Sequence, residues 1–249
     1  MPERSDVEGP SELPGLSLDG RVERDAFVLV ARLAASAGEV VGIVGEVGSG
    51  KSTLLGVLAG RLRLASGGLV GPDGVWDDPA AGRWRPEAER LVAYLPPRPT
   101  LAEDIAAIDQ VIEQAGGPPM DRSGGRSGGQ AGVSAAERAA PGPAGPSSED
   151  RRAAEAMLEA LGLAPGVYRR DGWTLSGGET QRVALARCFI ASAAVVILDD
   201  PLAALDGRTR ATVRQWLAGQ LARRSAIVVL ACSDPADTHL LADRLLPLD

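Results

Sequence analysis

Lysine is almost missing from this 249-residue chain: every Lys or Arg is arginine except Lys51. A composition that favours arginine everywhere else and spares one lysine marks that position for inspection. Histidine is as scarce, with His239 alone. The two cysteines, Cys188 and Cys232, lie far apart with no metal-ligand spacing, which fits a reducing cytoplasm. Long apolar runs are also missing. Residues 189–198 and 226–232 fall well short of the roughly 20 residues needed to cross a bilayer, so a membrane role is expected to run through a partner. Residues 1–13 are polar, acidic and proline-containing, unlike a secretory leader. The net charge of -7 leaves no basic footprint for phosphate backbones, which excludes a non-specific nucleic-acid binder.

At 45% hydrophobic, the chain can bury one full core, and a single domain over residues 1–249 is expected. Residues 21–33 alternate apolar and polar around Phe27, Leu29 and Ala31, the pattern of one half-buried strand. Residues 39–44 are a short apolar run between Gly38 and Gly45. A glycine-rich turn follows, and residues 51–62 then take helical apolar spacing. Glycine, proline and aspartate punctuate residues 67–84, which suits turns of a small antiparallel sheet. Residues 116–148 shift to Gly, Pro, Ser and Ala and are expected to be a low-complexity, flexible insert, because little apolar surface offsets the ordering entropy. Helical spacing resumes over 149–163. Residues 194–198 and 226–230 are β-branched runs without alternation, as in parallel strands covered on both faces, with a helix over 208–222 between them.

Gly45-Glu46-Val47-Gly48-Ser49-Gly50-Lys51-Ser52 matches a phosphate-binding loop and sits where one must, after a buried strand and opening a helix. The glycines let backbone N–H groups curl around a phosphate, and the helix N-terminus adds partial positive charge. Lys51 supplies a full charge toward β- and γ-phosphates, and the Ser52 hydroxyl is placed to ligate Mg²⁺, with Thr53 following. The apolar run 194–198 ends in Asp199, a carboxylate at the sheet edge where that Mg²⁺ should sit.

Leu175-Ser176-Gly177-Gly178-Glu179 resembles the signature element of the ABC ATPases, and the likeness continues through residues 180–187. Ala204-Leu205-Asp206 is similar to that family's D-loop. Residues 19–45 look like ATPases of molybdate-type importers. The resemblance covers nearly the whole chain, with 116–148 as its interruption. It implies an α/β P-loop core with a mostly parallel sheet, a small antiparallel β subdomain and a helical subdomain over about residues 100–180. It also implies two such domains head to tail with ATP between them. Lys51, Ser52 and Asp199 then hold one nucleotide, while Ser176, Gly177 and Gly178 cap the partner's. Phe27 lies about where the family places an adenine-stacking aromatic, and core packing is an equal reading. Transmembrane permease subunits are implied as partners, docking near residues 97–105, with the chain peripheral on the cytoplasmic face of the membrane. A soluble or regulatory cassette is the alternative.

The likeness breaks at three places. Pro97 stands where the family supplies a Gln, Asp200 where it has a catalytic Glu, and Ser233 where it has a switch His. His239, six residues on, is read as a solvated residue at a helix start, with substitution through a shifted loop as the other reading. All three departures fall on residues that orient water or sense the γ-phosphate. The chain is therefore expected to bind ATP and to hydrolyse it slowly, with Asp200 as the weakened catalytic carboxylate.

Overall fold

A computed structural model describes residues 15–24, 27–115 and 147–248. The single strand expected over residues 21–33 is instead a hairpin of β1 (Leu16–Arg24) and β2 (Phe27–Ala35), paired antiparallel. Buried side chains fall on even numbers in β1 (Leu16, Leu18, Val22) and on odd numbers in β2 (Leu29, Leu33, Ala35). That flip of phase cannot occur within one regular strand, since the side-chain period is two.

With β4 (Ser66–Gly71), β5 (Gly74–Asp78) and β6 (Arg83–Trp84), the hairpin builds an antiparallel sheet in the order β2-β1-β4-β5-β6. Trp76 is fully buried in it, and the backbone at Gly71 lies against the indole so closely that an added Cβ would stand 2.0 Å from a ring carbon. Gly71→Ala is expected to cost about 1–3 kcal/mol through overpacking, read from the urea unfolding midpoint. An unchanged midpoint would mean that the ring has room to swing aside.

The second sheet is parallel throughout, ordered β10-β3-β9-β8-β7, from β3 (Val40–Val44), β7 (Val92–Leu95), β8 (Val195–Asp199), β9 (Ile227–Ala231) and β10 (Arg244–Pro247). Val195, Ile197, Ile227 and Val229 face a core shared with α1 (Lys51–Leu58) and the antiparallel sheet. Val196, Leu198, Val228 and Leu230 face the helical layer on the other side. Both faces are covered, which is why these strands read as unbroken apolar runs.

The helical layer comprises α2 (Ala107–Ile112), α3 (Ser148–Ala160), α4 (Pro165–Tyr168) and α5 (Gly177–Ile190), while α6 (Gly207–Leu221) and α7 (Pro235–Leu241) flank the sheet. The architecture is the expected α/β one with two sheets and a helical layer. Helix α1 stops short of the 51–62 pattern. Gly60 is left-handed at φ 81, and the Arg61 N–H returns to the Gly56 carbonyl at 2.9 Å, which closes the last turn. Helix α3 starts inside the expected insert. Ser147 caps it by accepting from the Asp150 N–H at 3.0 Å, and residues 116–146 of that insert lie outside the described residues. Among the described residues no helix is long and apolar enough to cross a membrane.

Arg90 joins the two sheets' territories. It is 1% exposed and donates to the carbonyls of Val57 at 2.7 Å and Leu58 at 2.9 Å, at the end of α1, and to that of Arg85 at 2.7 Å. A cation at a helix C-terminus completes orphan carbonyls and meets the negative end of the dipole. Burial pulls the guanidinium down to about 10 against the nearby Asp77, which leaves it charged at neutral pH.

Candidate functional site

The loop between β3 and α1 owes its shape to its glycines. Gly48 and Gly50 are left-handed at φ 91 and 98, and Gly50 is the residue from which α1 departs. Lys51 folds back across the loop and donates from Nζ to the carbonyls of Gly45 and Glu46, each at 2.7 Å. This ties the strand end to the helix start and sets the ammonium over the mouth of the loop.

A cavity of about 660 Å³ opens there. Gly45, Val47, Gly48, Gly50, Lys51, Ser52 and Thr53 line it from the loop side, with Phe27 at one wall and Asp199 and Asp200 at another. Glu46 and Ser49 do not face it; they line a second cavity behind the loop, and Glu46 serves the first through its backbone carbonyl. The Phe27 ring is packed on Gly50, where an added Cβ would lie 2.8 Å from Cζ, and it also packs on the core while lining the cavity.

Asp199 closes β8 at 4% exposure, and its Oδ2 has no hydrogen-bond partner. Burial raises its carboxyl above the ordinary range and Asp200 adds to this, while the Ser52 hydroxyl, Lys51 and Tyr94 act in the opposite direction. An unpartnered buried carboxylate oxygen is costly unless a cation takes it. With the Ser52 hydroxyl it forms an oxygen donor pair that fits Mg²⁺, an ion held by one or two protein oxygens together with phosphates and water. Among the described residues no cluster of three His, Cys, Asp or Glu could hold a metal by itself.

Asp200 is tethered at every polar group. It is left-handed at φ 54, and its N–H donates to the Ala231 carbonyl at 2.8 Å. Its Oδ1 accepts from the Ser233 N–H at 3.1 Å, and its Oδ2 accepts from the Ser233 hydroxyl. Its carbonyl accepts from Nε2 of the buried Gln181 on α5 at 3.2 Å. Pro97 and Ser233 line the same cavity, so the three departures from the family pattern converge in space. His239 does not join them. It sits in the last turn of α7 rather than at a helix start, exposed, with Nδ1 2.7 Å from the Pro235 carbonyl.

Ser176 caps α5 through a capping box. Its hydroxyl accepts from the Glu179 N–H at 3.3 Å, and its own N–H donates to Glu179 Oε2 at 2.7 Å. Arg170 holds the other carboxylate oxygen at 3.0 Å. Burial opposes ionisation of Glu179, yet the Ser176 hydrogen bonds and the Arg170 charge together hold its carboxyl below the ordinary range. Ser176 and Gly177 are exposed and Gly178 is half-buried, so the helix tip opens outward. None of the three lines the Lys51 cavity of the same chain.

Three residues were not found from sequence. Tyr94 lies beside Asp199, and burial together with that carboxylate pushes its hydroxyl up. Gln181 and Arg24 are the others, and both depend on contacts between distant segments. Gln181 lay within the quoted signature likeness, but nothing local says that it reaches the turn after β8.

The ABC transporter family matches residues 30–203. The chain belongs to that family. It is 35% identical to the molybdenum import ATP-binding protein ModC of Mycobacterium tuberculosis over 214 residues, covering 86% of this chain and 52% of that protein. It is 29% identical to the aliphatic sulfonates import ATP-binding protein SsuB 1 of Streptomyces avermitilis, covering 94% of this chain and 70% of that one. The chain thus spans about half the length of the ModC relative. Among solved structures, an ATP-binding cassette in a dimeric post-hydrolysis state bound to ADP and Pi superposes with a TM-score of 0.67 at 20% identity, over 94% of each chain. At that identity the likeness is one of ABC cassette fold.

Proposed function

We propose that this chain is the ATP-binding subunit of an ABC importer, a single cassette over residues 1–249 that binds MgATP and works as a slow ATPase on the cytoplasmic face of the membrane through permease partners. The observation that carries the reading is the convergence of Lys51, Ser52 and the unpartnered Oδ2 of Asp199 on one cavity at a helix N-terminus. Lys51 and the loop N–H groups take the phosphates, and Ser52 and Asp199 take the Mg²⁺, which when bound neutralises phosphate charge. Ser176 and Gly177, exposed at the helix tip, and the half-buried Gly178, all away from their own cavity, serve the nucleotide of a second cassette. The import direction is carried over from the ModC and SsuB relatives, which are import ATP-binding proteins, and the permease partners follow from the family resemblance.

Slow turnover is supported by what surrounds the water position. Pro97 brings no side-chain ligand, and both oxygens of Asp200 are engaged by Ser233. A second reading, a regulatory cassette whose nucleotide only locks a complex, draws on the same contacts. Phosphate release by the purified chain, with and without its membrane partner, separates the two. Turnover that stays at background with the partner present selects the locking role. In the slow-ATPase reading, Asp200→Glu combined with Ser233→His raises turnover by about 10-fold, because roughly 1 Å of misplacement can account for such factors and more. Wild-type turnover already matching cassettes with an intact Gln, Glu and His would end the proposal of a slow site.

A further inference from the structure

The charged side chains lining the Lys51 cavity are Arg24, Lys51, Asp199 and Asp200. The basic and acidic members balance only with Arg24 counted. Without it the carboxylates outnumber the lone ammonium, in a cavity whose proposed ligand is itself polyanionic.

Arg24 comes to this place through sheet register. It ends β1 and is the direct cross-strand partner of Phe27, which begins β2. Residues directly opposite in an antiparallel pair point to the same face. The Phe27 ring rests on Gly50 of the phosphate loop, so the face shared by the pair is the one turned to that loop. The cavity lining agrees, since Arg24 and Phe27 both contribute to it. Arg24 has no ion-pair or hydrogen-bond partner among the described residues, whereas Arg21 and Arg32 on the same hairpin pair with Glu23 and Asp19. An exposed guanidinium that lines the cavity and has no such partner among the described residues is available to an incoming anion.

We infer that Arg24 is a second cationic grip on the polyphosphate of the nucleotide, acting from the β1–β2 hairpin opposite Lys51. Arginine suits the task because its planar fork can donate two parallel hydrogen bonds to one phosphate. The inference rests on the reading of this cavity as a nucleotide site. It adds a residue that neither the phosphate-loop pattern nor the signature contains.

The test is equilibrium binding of ATP, ADP, AMP and adenosine to the full chain, to Arg24→Gln, to Arg24→Lys and to Lys51→Ala. Arg24→Gln should weaken ATP binding by about 10-fold, the scale of one charge-assisted contact at a partly exposed site. The loss should shrink along the series ADP and AMP and vanish for adenosine. Arg24→Lys should recover part of the ATP affinity, and the dependence of affinity on salt should flatten in Arg24→Gln. Equal ATP affinity in wild type and Arg24→Gln would overturn the inference while leaving the nucleotide site standing. An equal loss for adenosine would overturn it too, by placing the guanidinium on the base. If wild type and Lys51→Ala both fail to bind ATP, the site reading falls first and Arg24 falls with it.

Discussion

Lys51→Ala lowers ATP affinity at least about 100-fold while leaving the unfolding midpoint nearly unchanged. Two effects combine. The ammonium is the only full positive charge carried by the loop itself, and each charge-assisted contact to phosphate is worth about 1.5–3 kcal/mol, so losing contacts to two phosphates reaches the stated factor. The same ammonium bridges the carbonyls of Gly45 and Glu46 at 2.7 Å, so its loss also loosens the frame that presents the loop N–H groups. Stability is spared because those bonds are exposed and water can replace them. Titration of a fluorescent ATP analogue against the two proteins decides it. An affinity within about threefold of wild type would show that the loop does not cradle phosphate.

Arg90→Met unfolds at much lower denaturant, with a loss of about 3–5 kcal/mol, because a charged donor is removed from several buried carbonyls and each one left unsatisfied costs about 1–3 kcal/mol. The substitution strands the carbonyls of Leu58 and Arg85, which Arg90 satisfies at 2.9 and 2.7 Å, and leaves that of Val57 with the Gly60 N–H alone. It also removes the positive charge that acts most strongly on Asp77, which is fully buried and accepts the Leu64 N–H at 2.8 Å. Burial already raises the Asp77 carboxyl, and Arg90 opposes that rise. A raised carboxyl favours the folded state when protonated and weighs against it when ionised. The deficit of Arg90→Met is therefore larger at neutral pH than at lower pH, as Asp77 takes up a proton. Chemical denaturation at two pH values reads both effects. A deficit below about 1 kcal/mol, or one that grows on acidification, would contradict this account of the joint between α1 and the antiparallel sheet.

The slow-site reading gained its physical form only in three dimensions. Pro97, Asp200 and Ser233 stand at positions 97, 200 and 233, and sequence comparison treats them as separate departures. In the fold they border one cavity, and Ser233 holds the Asp200 carboxylate by backbone and side chain together. His239 fared differently. The sequence reads it as solvated, with substitution for the switch His as the other reading, and α7 carries it to the surface with its ring against the Pro235 carbonyl.

What could be read from the residues alone was whatever short-range backbone geometry fixes. The glycine-rich loop of residues 45–52, the signature run at 175–179, and the unbroken apolar strands that become β8 and β9 are local patterns, and the structure shows each enforced within a few residues. The family likeness rests on those patterns. Tertiary structure decided the rest. The β1–β2 hairpin sets Arg24 beside Phe27, Arg90 reaches carbonyls 32 and 33 residues away, and Gln181 ties the signature helix to the Asp200 turn. Such contacts follow from strand register and from which faces pack, and a one-residue slip in register would turn every side chain of a strand to the opposite face.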